Sequence, residues 1–60
     1  MPTRQAIVFI DTHDEKYPYN LQIIVNGVYT GFGRYCKNWH EVNQALALYN
    51  AELYDVRFKS

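Results

Sequence analysis

Asn26-Gly27 is the feature that most limits what this chain can fold into. It separates Leu-Gln-Ile-Ile-Val, residues 21–25, from Val-Tyr-Thr-Gly-Phe-Gly-Arg-Tyr, residues 28–35. A two-residue type I′ turn needs positive φ at both central positions, which Asn and Gly tolerate best. The pair therefore predicts a β-hairpin and its register: Val25 opposite Val28, Ile23 opposite Thr30, Leu21 opposite Phe32. That register gathers one apolar set on one side. The other side receives Gln22, Ile24, Tyr29, Gly31, Gly33 and Tyr35.

A chain of 60 residues is one domain, residues 1–60, and sits near the lower limit for independent folding. At this size only about 60% of the unfolded chain's surface is buried. Stability must come from close packing, a staple or a partner. Cys36 is the single cysteine, so no disulfide closes within the chain. Together with His13 and His40 it makes no zinc ligand set at a usual spacing, and neither metal nor cofactor is expected. Apolar residues make up 48% of the chain, a globular composition. Six acids balance six bases, which argues against a protein held to nucleic acid by phosphate neutralisation. The N-terminal Met-Pro-Thr-Arg-Gln precedes an apolar run of about six residues, too short for a signal peptide or a membrane span. With one free thiol, the expectation is a cytoplasmic protein and no membrane contact.

Residues 5–11, Gln-Ala-Ile-Val-Phe-Ile-Asp, read as a first strand. Ile7 and Phe9 fall on one face, and Ala6, Val8 and Ile10 on the other. A strand apolar on both faces is covered on both, and one helix covers only one face of a small sheet. This predicts a homodimer or another partner, with Val8, Ile10 and Ile24 as the self-association surface. Residues 12–19 form a polar connection around Pro18.

Asn38 reads as a helix N-cap, with Glu41 three residues on completing a capping-box pattern. The helix is expected over residues 39–52, its stripe being Trp39, Val42, Ala45, Leu46, Tyr49 and Leu53. A last strand follows at 54–59. Tyr54, Val56 and Phe58 alternate there with Asp55, Arg57 and Lys59. The order is β-β-β-α-β: an α+β fold with one helix packed on one face of a four-stranded, mainly antiparallel sheet. Leu21, Ile23, Val25, Val28, Phe32, Val56 and Phe58 are expected to meet the helix.

Few residue groups suggest chemistry. Asp11 and His13 lie two apart at a strand end, as an acid/base pair would, but an acid-rich loop held by Asx turns needs the same residues. Cys36 and His40 span the helix start, where a thiol's pKa is lowered if it is accessible; the alternative is a small buried cysteine. Gly31-Phe32-Gly33-Arg34 lacks the full spacing of a phosphate loop and reads instead as a site of close backbone approach. Tyr29 and Tyr35 offer rigid contact area with a polar tip. Arg34 and Arg57 beside them form the basic rim that stacking of single-stranded nucleic acid uses.

The β-β-β-α-β order resembles the HicB-type antitoxin fold, with Arg34-Tyr35-Cys36-Lys37 standing where that family has its Pro-Gly-Cys stretch. The hairpin–helix–strand portion from Tyr19 to Lys59, ending in Asp55-Val56-Arg57-Phe58, is similar to small phage-encoded inhibitors of bacterial enzymes, of the RNA polymerase inhibitor type. That resemblance implies a protein that acts by occupying a host enzyme's surface. It carries over no functional residue.

The expectation is therefore a non-enzymatic protein–protein interaction module, a small phage or mobile-element regulator or inhibitor binding a host protein. Its partner surface would comprise Tyr29, Gly31, Gly33, Tyr35, Arg34 and Arg57. The alternative is a nucleic-acid-binding regulator using the same aromatic and basic face.

Overall fold

Asn26 and Gly27 both take positive φ, 52° and 79°, and turn the chain as the sequence requires. In the computed structural model, which describes residues 4–59, they join β2 (Tyr19–Val25) to β3 (Val28–Cys36). The three residues that open the N-terminal run considered above, and Ser60, lie outside the described residues. β1 (Arg4–Ile10) precedes this hairpin, and α1 (Trp39–Tyr49) and β4 (Ala51–Phe58) follow it. The sheet order is β3-β2-β1-β4. β2 is antiparallel to both its neighbours, while β4 lies parallel to β1. The helix thus carries the chain from one edge of the sheet to the other, and the expected α+β architecture is present.

The helix face holds the main core. Ala6, Val8, Leu21, Ile23 and Cys36 from the sheet are sealed by Val42 and Ala45 from α1. Ile10, Tyr19, Leu46, Tyr49, Ala51 and Val56 pack around them. Of the two apolar faces of strand one, the helix takes that of Ala6, Val8 and Ile10. Val8 is fully buried and Ile10 packs on the same core. The expected self-association set is therefore split. A second chain could reach Val8 and Ile10 only by displacing α1, and Ile24 lies on the opposite face.

Both ends of α1 have explicit stops. Asn38 is extended, and its Oδ1 accepts the Glu41 N–H at 2.9 Å. Glu41 Oε1 accepts the Lys37 N–H at 2.9 Å, one residue earlier than in a standard capping box. The helix ends at Tyr49, three residues sooner than its apolar stripe suggests. Asn50 adopts the left-handed region at φ 52° and its N–H closes on the Ala47 carbonyl at 3.1 Å. Arg4 Nη1 donates to the Tyr49 carbonyl at 3.0 Å, placing a cation at the negative end of the helix. Ala51 and Glu52, expected in the helix, and Leu53, expected to continue its stripe, belong to β4.

Two irregularities reset the sheet. Pairing runs Val25–Val28 and Ile24–Tyr29, then resumes at Gln22–Gly33 and Leu21–Arg34. Ile23 alone spans on β2 what Thr30, Gly31 and Phe32 span on β3. Gly31 supplies the positive φ, 84°, and the Thr30 hydroxyl donates to the Ile23 carbonyl at 2.9 Å. Leu21 therefore faces Arg34 instead of the expected Phe32. In β4, Leu53 pairs with Ala6 but Asp55 with Ile7, leaving Tyr54 over as the extra residue of a bulge.

The core is smaller than expected. Val28, Phe32 and Phe58 are all more than 60% exposed and are not sealed beneath the helix. β3 and β4 are edge strands, so their outer residues lack a neighbour on one side. Trp39 instead packs on Tyr19, with ring centroids 5.2 Å apart.

Candidate functional site

The sheet face away from α1 has no covering element, yet it buries two large apolar side chains. Ile7 and Ile24 are only 4% and 5% exposed. The register brings them there from adjacent strands, β1 and β2. Tyr29, Tyr54 and Arg57 rim the depression of about 340 Å³ in which they lie, with Gln5 and Gly27 completing it. Three amphipathic side chains thus border the isoleucines where a helix is absent, and side chains of this kind combine an apolar body with a polar tip.

Tyr54 reaches this rim because of its bulge. An uninterrupted alternation places it with Val56, toward the helix. The extra residue flips it to the open face beside Asp55. Arg57 is fixed by its Nε, which donates to Asp55 Oδ2 at 2.9 Å. Asp55 Oδ1 also accepts the Val56 N–H at 2.9 Å. Both hydrogen bonds hold the Asp55 carboxyl below its ordinary range, Arg57 contributing most. Asp55 in turn stabilises the Arg57 cation.

The face continues past the isoleucines. Pairing sets Tyr35, Asn20, Phe9 and Arg57 in one row across the four strands, and Gly33, Gln22, Ile7 and Asp55 in the row beside it. Gln22 Nε2 donates to Asn20 Oδ1 at 2.7 Å, so the polar pair in the middle satisfies itself. Beyond it, Phe9 and Tyr35 border a second hollow with Tyr17, Pro18 and Lys59. Tyr29, Tyr35 and Tyr54 are 52%, 62% and 60% exposed, leaving most of each ring available.

The expected partner residues divide on this geometry. Tyr29, Gly33, Tyr35 and Arg57 share the open face. Gly31 sits in the β3 irregularity. Arg34 is turned to the helix side, where it borders Glu41 and Gln44. Its departure leaves Arg57 and Lys59 on the open face against Glu52 and Asp55, a balanced set of charges where a nucleic-acid surface is basic. Gly33 has a structural reason to be glycine. A Cβ there would collide with the Leu21 carbonyl oxygen. Sequence reasoning missed Ile7, Phe9 and Tyr54 as members of this surface.

The other chemical candidates resolve into structure. Asp11 Oδ1 accepts the His13 N–H at 3.0 Å. Asp14 Oδ1 accepts from Lys16 and Tyr17 at 3.0 and 2.8 Å. These carboxylates hold the loop in Asx-type turns. Cys36 is buried in the core, and burial pushes its thiol pKa up despite the nearby Arg34. This is the reverse of the activation that a helix N-terminus gives an accessible thiol. Among the described residues no three His, Cys, Asp or Glu side chains group as metal ligands, and no helix is long and apolar enough to cross a membrane.

Compared with protein-family models, with curated proteins and with solved structures, the chain matches none.

Proposed function

We propose that this chain is a non-enzymatic protein–protein interaction module that docks on its partner through the helix-free sheet face. One observation carries the reading: Ile7 and Ile24 are buried on a face that no helix covers, rimmed by Tyr29, Tyr54 and Arg57. Tyrosine and arginine around an apolar centre is the composition of interface hot spots, which are rich in Tyr, Trp and Arg. The narrower reading is a small phage or mobile-element regulator that acts in the cytoplasm by occupying a host protein's surface. It rests on the likeness to phage-encoded inhibitors and on the single open face, which suits a protein that works by covering something else.

The test begins with affinity purification and mass spectrometry to name a partner, followed by calorimetry with purified components. Tyr29→Ala, Tyr35→Ala and Tyr54→Ala should each weaken binding by about tenfold or more, as truncated hot-spot residues do. Leu48→Ser, at an exposed position on α1, should leave affinity unchanged. Wild-type affinity in all three tyrosine variants, or a loss confined to Leu48→Ser, overturns the proposal. A low-salt gel shift that fades with added salt would instead support the nucleic-acid reading.

A further inference from the structure

The outer edge of β4 is unpaired in the sheet. The strand is eight residues long, contains no proline, and lies at the sheet margin. It leaves Leu53, Tyr54 and Phe58 exposed. An edge strand is a template for another strand, and bulges and charges ordinarily blunt it; on β4 both are arranged so that a second β4 matches them.

The bulge gives this edge an unusual symmetry. Before it, Ala51 and Leu53 pair with Arg4 and Ala6, and Glu52 pairs with Gln5. Odd-numbered residues therefore face the helix and Glu52 faces away. After it, Val56 and Phe58 pair with the helix-side Val8 and Ile10, while Asp55 and Arg57 pair with the open-side Ile7 and Phe9. Even-numbered residues now face the helix. The two halves of β4 have opposite parity, mirrored about the Tyr54–Asp55 junction.

Two copies of β4 laid antiparallel about that junction match at every position. Ala51 stands opposite Phe58 and Leu53 opposite Val56, all on the helix side. Glu52 stands opposite Arg57, and Tyr54 opposite Asp55, all on the open side. Directly opposed residues must share a face, and opposite charges there attract. No neighbouring register satisfies both conditions. A one-residue shift sets helix-side residues against open-side ones. A two-residue shift sets Glu52 against Asp55 in one direction and Asp55 against Val56, on the wrong face, in the other. The opposite edge, β3, offers no such match, since Arg34 is its one charged residue and no acid is present to oppose it.

We propose that two copies of this chain pair through β4, antiparallel and two-fold about the Tyr54–Asp55 junction, with Glu52 of each bonded to Arg57 of the other. The product is a continuous eight-stranded sheet. Both helices lie on one side, and the two open faces join into one surface on the other. Arg57 retains donors beyond the Nε that it gives to its own Asp55, so it serves both carboxylates. The Val56 N–H is already satisfied by Asp55, so the midpoint of the edge, where a bulge interrupts the ladder anyway, needs no bond from the partner. The contact runs along the strand edge and the partner site across the open face, with Tyr54 and Arg57 at the corner that both use.

Sedimentation equilibrium on the full chain tests this by charge reversal. The wild type should dimerise. Glu52→Arg and Arg57→Glu should each weaken the dimer by roughly tenfold, because both symmetry-related pairs become like-charged. An equimolar mixture of the two variants should recover dimer as the heterodimer, in which both pairs are again opposite. Phe58→Ser changes a residue exposed in the single chain, so it should leave the fold intact by circular dichroism and weaken the dimer. A wild type that stays monomeric at millimolar concentration overturns the proposal. So does a mixture no more dimeric than its components, or a Phe58→Ser protein that dimerises like the wild type.

Discussion

Tyr54 stands over Ile7 because one residue of β4 has no partner in β1. Without that extra residue the ring would turn toward α1, and the depression that holds Ile7 and Ile24 would lose one of its three large rim side chains. Tyr54 is therefore part of the fold's second, smaller core as well as part of its surface. Removing its ring should expose apolar area on both isoleucines. Tyr54→Ala is expected to destabilise the chain by about 1 kcal/mol, a fraction of the value of one large buried side chain. Urea unfolding measures this. Phe58→Ala, at an edge position that covers nothing comparable, should cost less under the same conditions.

Gly31 and Gly33 are two apart in β3 but constrained for different reasons. Gly31 has φ 84° with open space around it, so an alanine there strains only its own backbone. The expected cost is about 1–2 kcal/mol, the penalty for a side chain in the left-handed region. At Gly33 the backbone is ordinary, but a Cβ meets the Leu21 carbonyl, a fixed group in the neighbouring strand. Gly33→Ala must push β2 and β3 apart, and overpacking of this kind costs about 1–3 kcal/mol. Gly31→Asn separates the two cases, since asparagine tolerates positive φ and should recover part of the loss. Thermal unfolding checks the set, a chain of this size losing roughly 4–8 °C in Tm per kcal/mol.

What was legible in the sequence follows from what leaves a local signature. Asn26-Gly27 and Asn38 are chemical solutions to local backbone problems, and both do what their side chains imply. The Val42, Ala45, Leu46 and Tyr49 stripe recurs at helical spacing because one helix face is buried. The two-sided apolar character of strand one was also a true signal, since Val8 and Ile7 are both buried, on opposite faces. Its reading as a dimer face failed for Val8 and Ile10 because periodicity separates faces without saying which one the helix takes. Asn50 was a missed stop: asparagine in the left-handed region ends helices as glycine does, but the apolar stripe continues past it to Leu53. The bulges at Gly31 and Tyr54 leave no periodic trace. Each changes which residues share a face only downstream of itself, so alternation read through Tyr54 assigned it to the wrong side.

Cys36 should be chemically silent while the chain is folded. It is 1% exposed and burial raises its thiol pKa, so both access and thiolate fraction are reduced. At pH 8 a thiol reagent is expected to label it only as fast as the fold opens, and denaturing urea should restore the rate of a free cysteine. The linked pH effect has a definite sign. A raised thiol pKa means that the unfolded chain loses its proton first, so stability holds below the ordinary value of 9.0 and declines as pH rises beyond it. Cys36→Ala should flatten this alkaline decline, at the cost of the packing that the sulfur provides.

Asp55 gives the opposite sign at the other end of the pH scale. Its carboxyl is held below the ordinary 3.8, first by Arg57 and then by the Val56 N–H. The folded chain therefore keeps this carboxylate ionised when the unfolded chain has begun to protonate. The resulting stabilisation is present above 3.8 and is lost as pH falls through the lowered value. A carbon-detected NMR titration of the Asp55 carboxyl should show a midpoint below 3.8. Arg57→Gln should move that midpoint up without restoring the ordinary value, because the Val56 N–H still favours the charged form. A midpoint unmoved by Arg57→Gln would mean that the ion pair at 2.9 Å does not persist in solution, and Arg57 would then lose its anchor over the isoleucines.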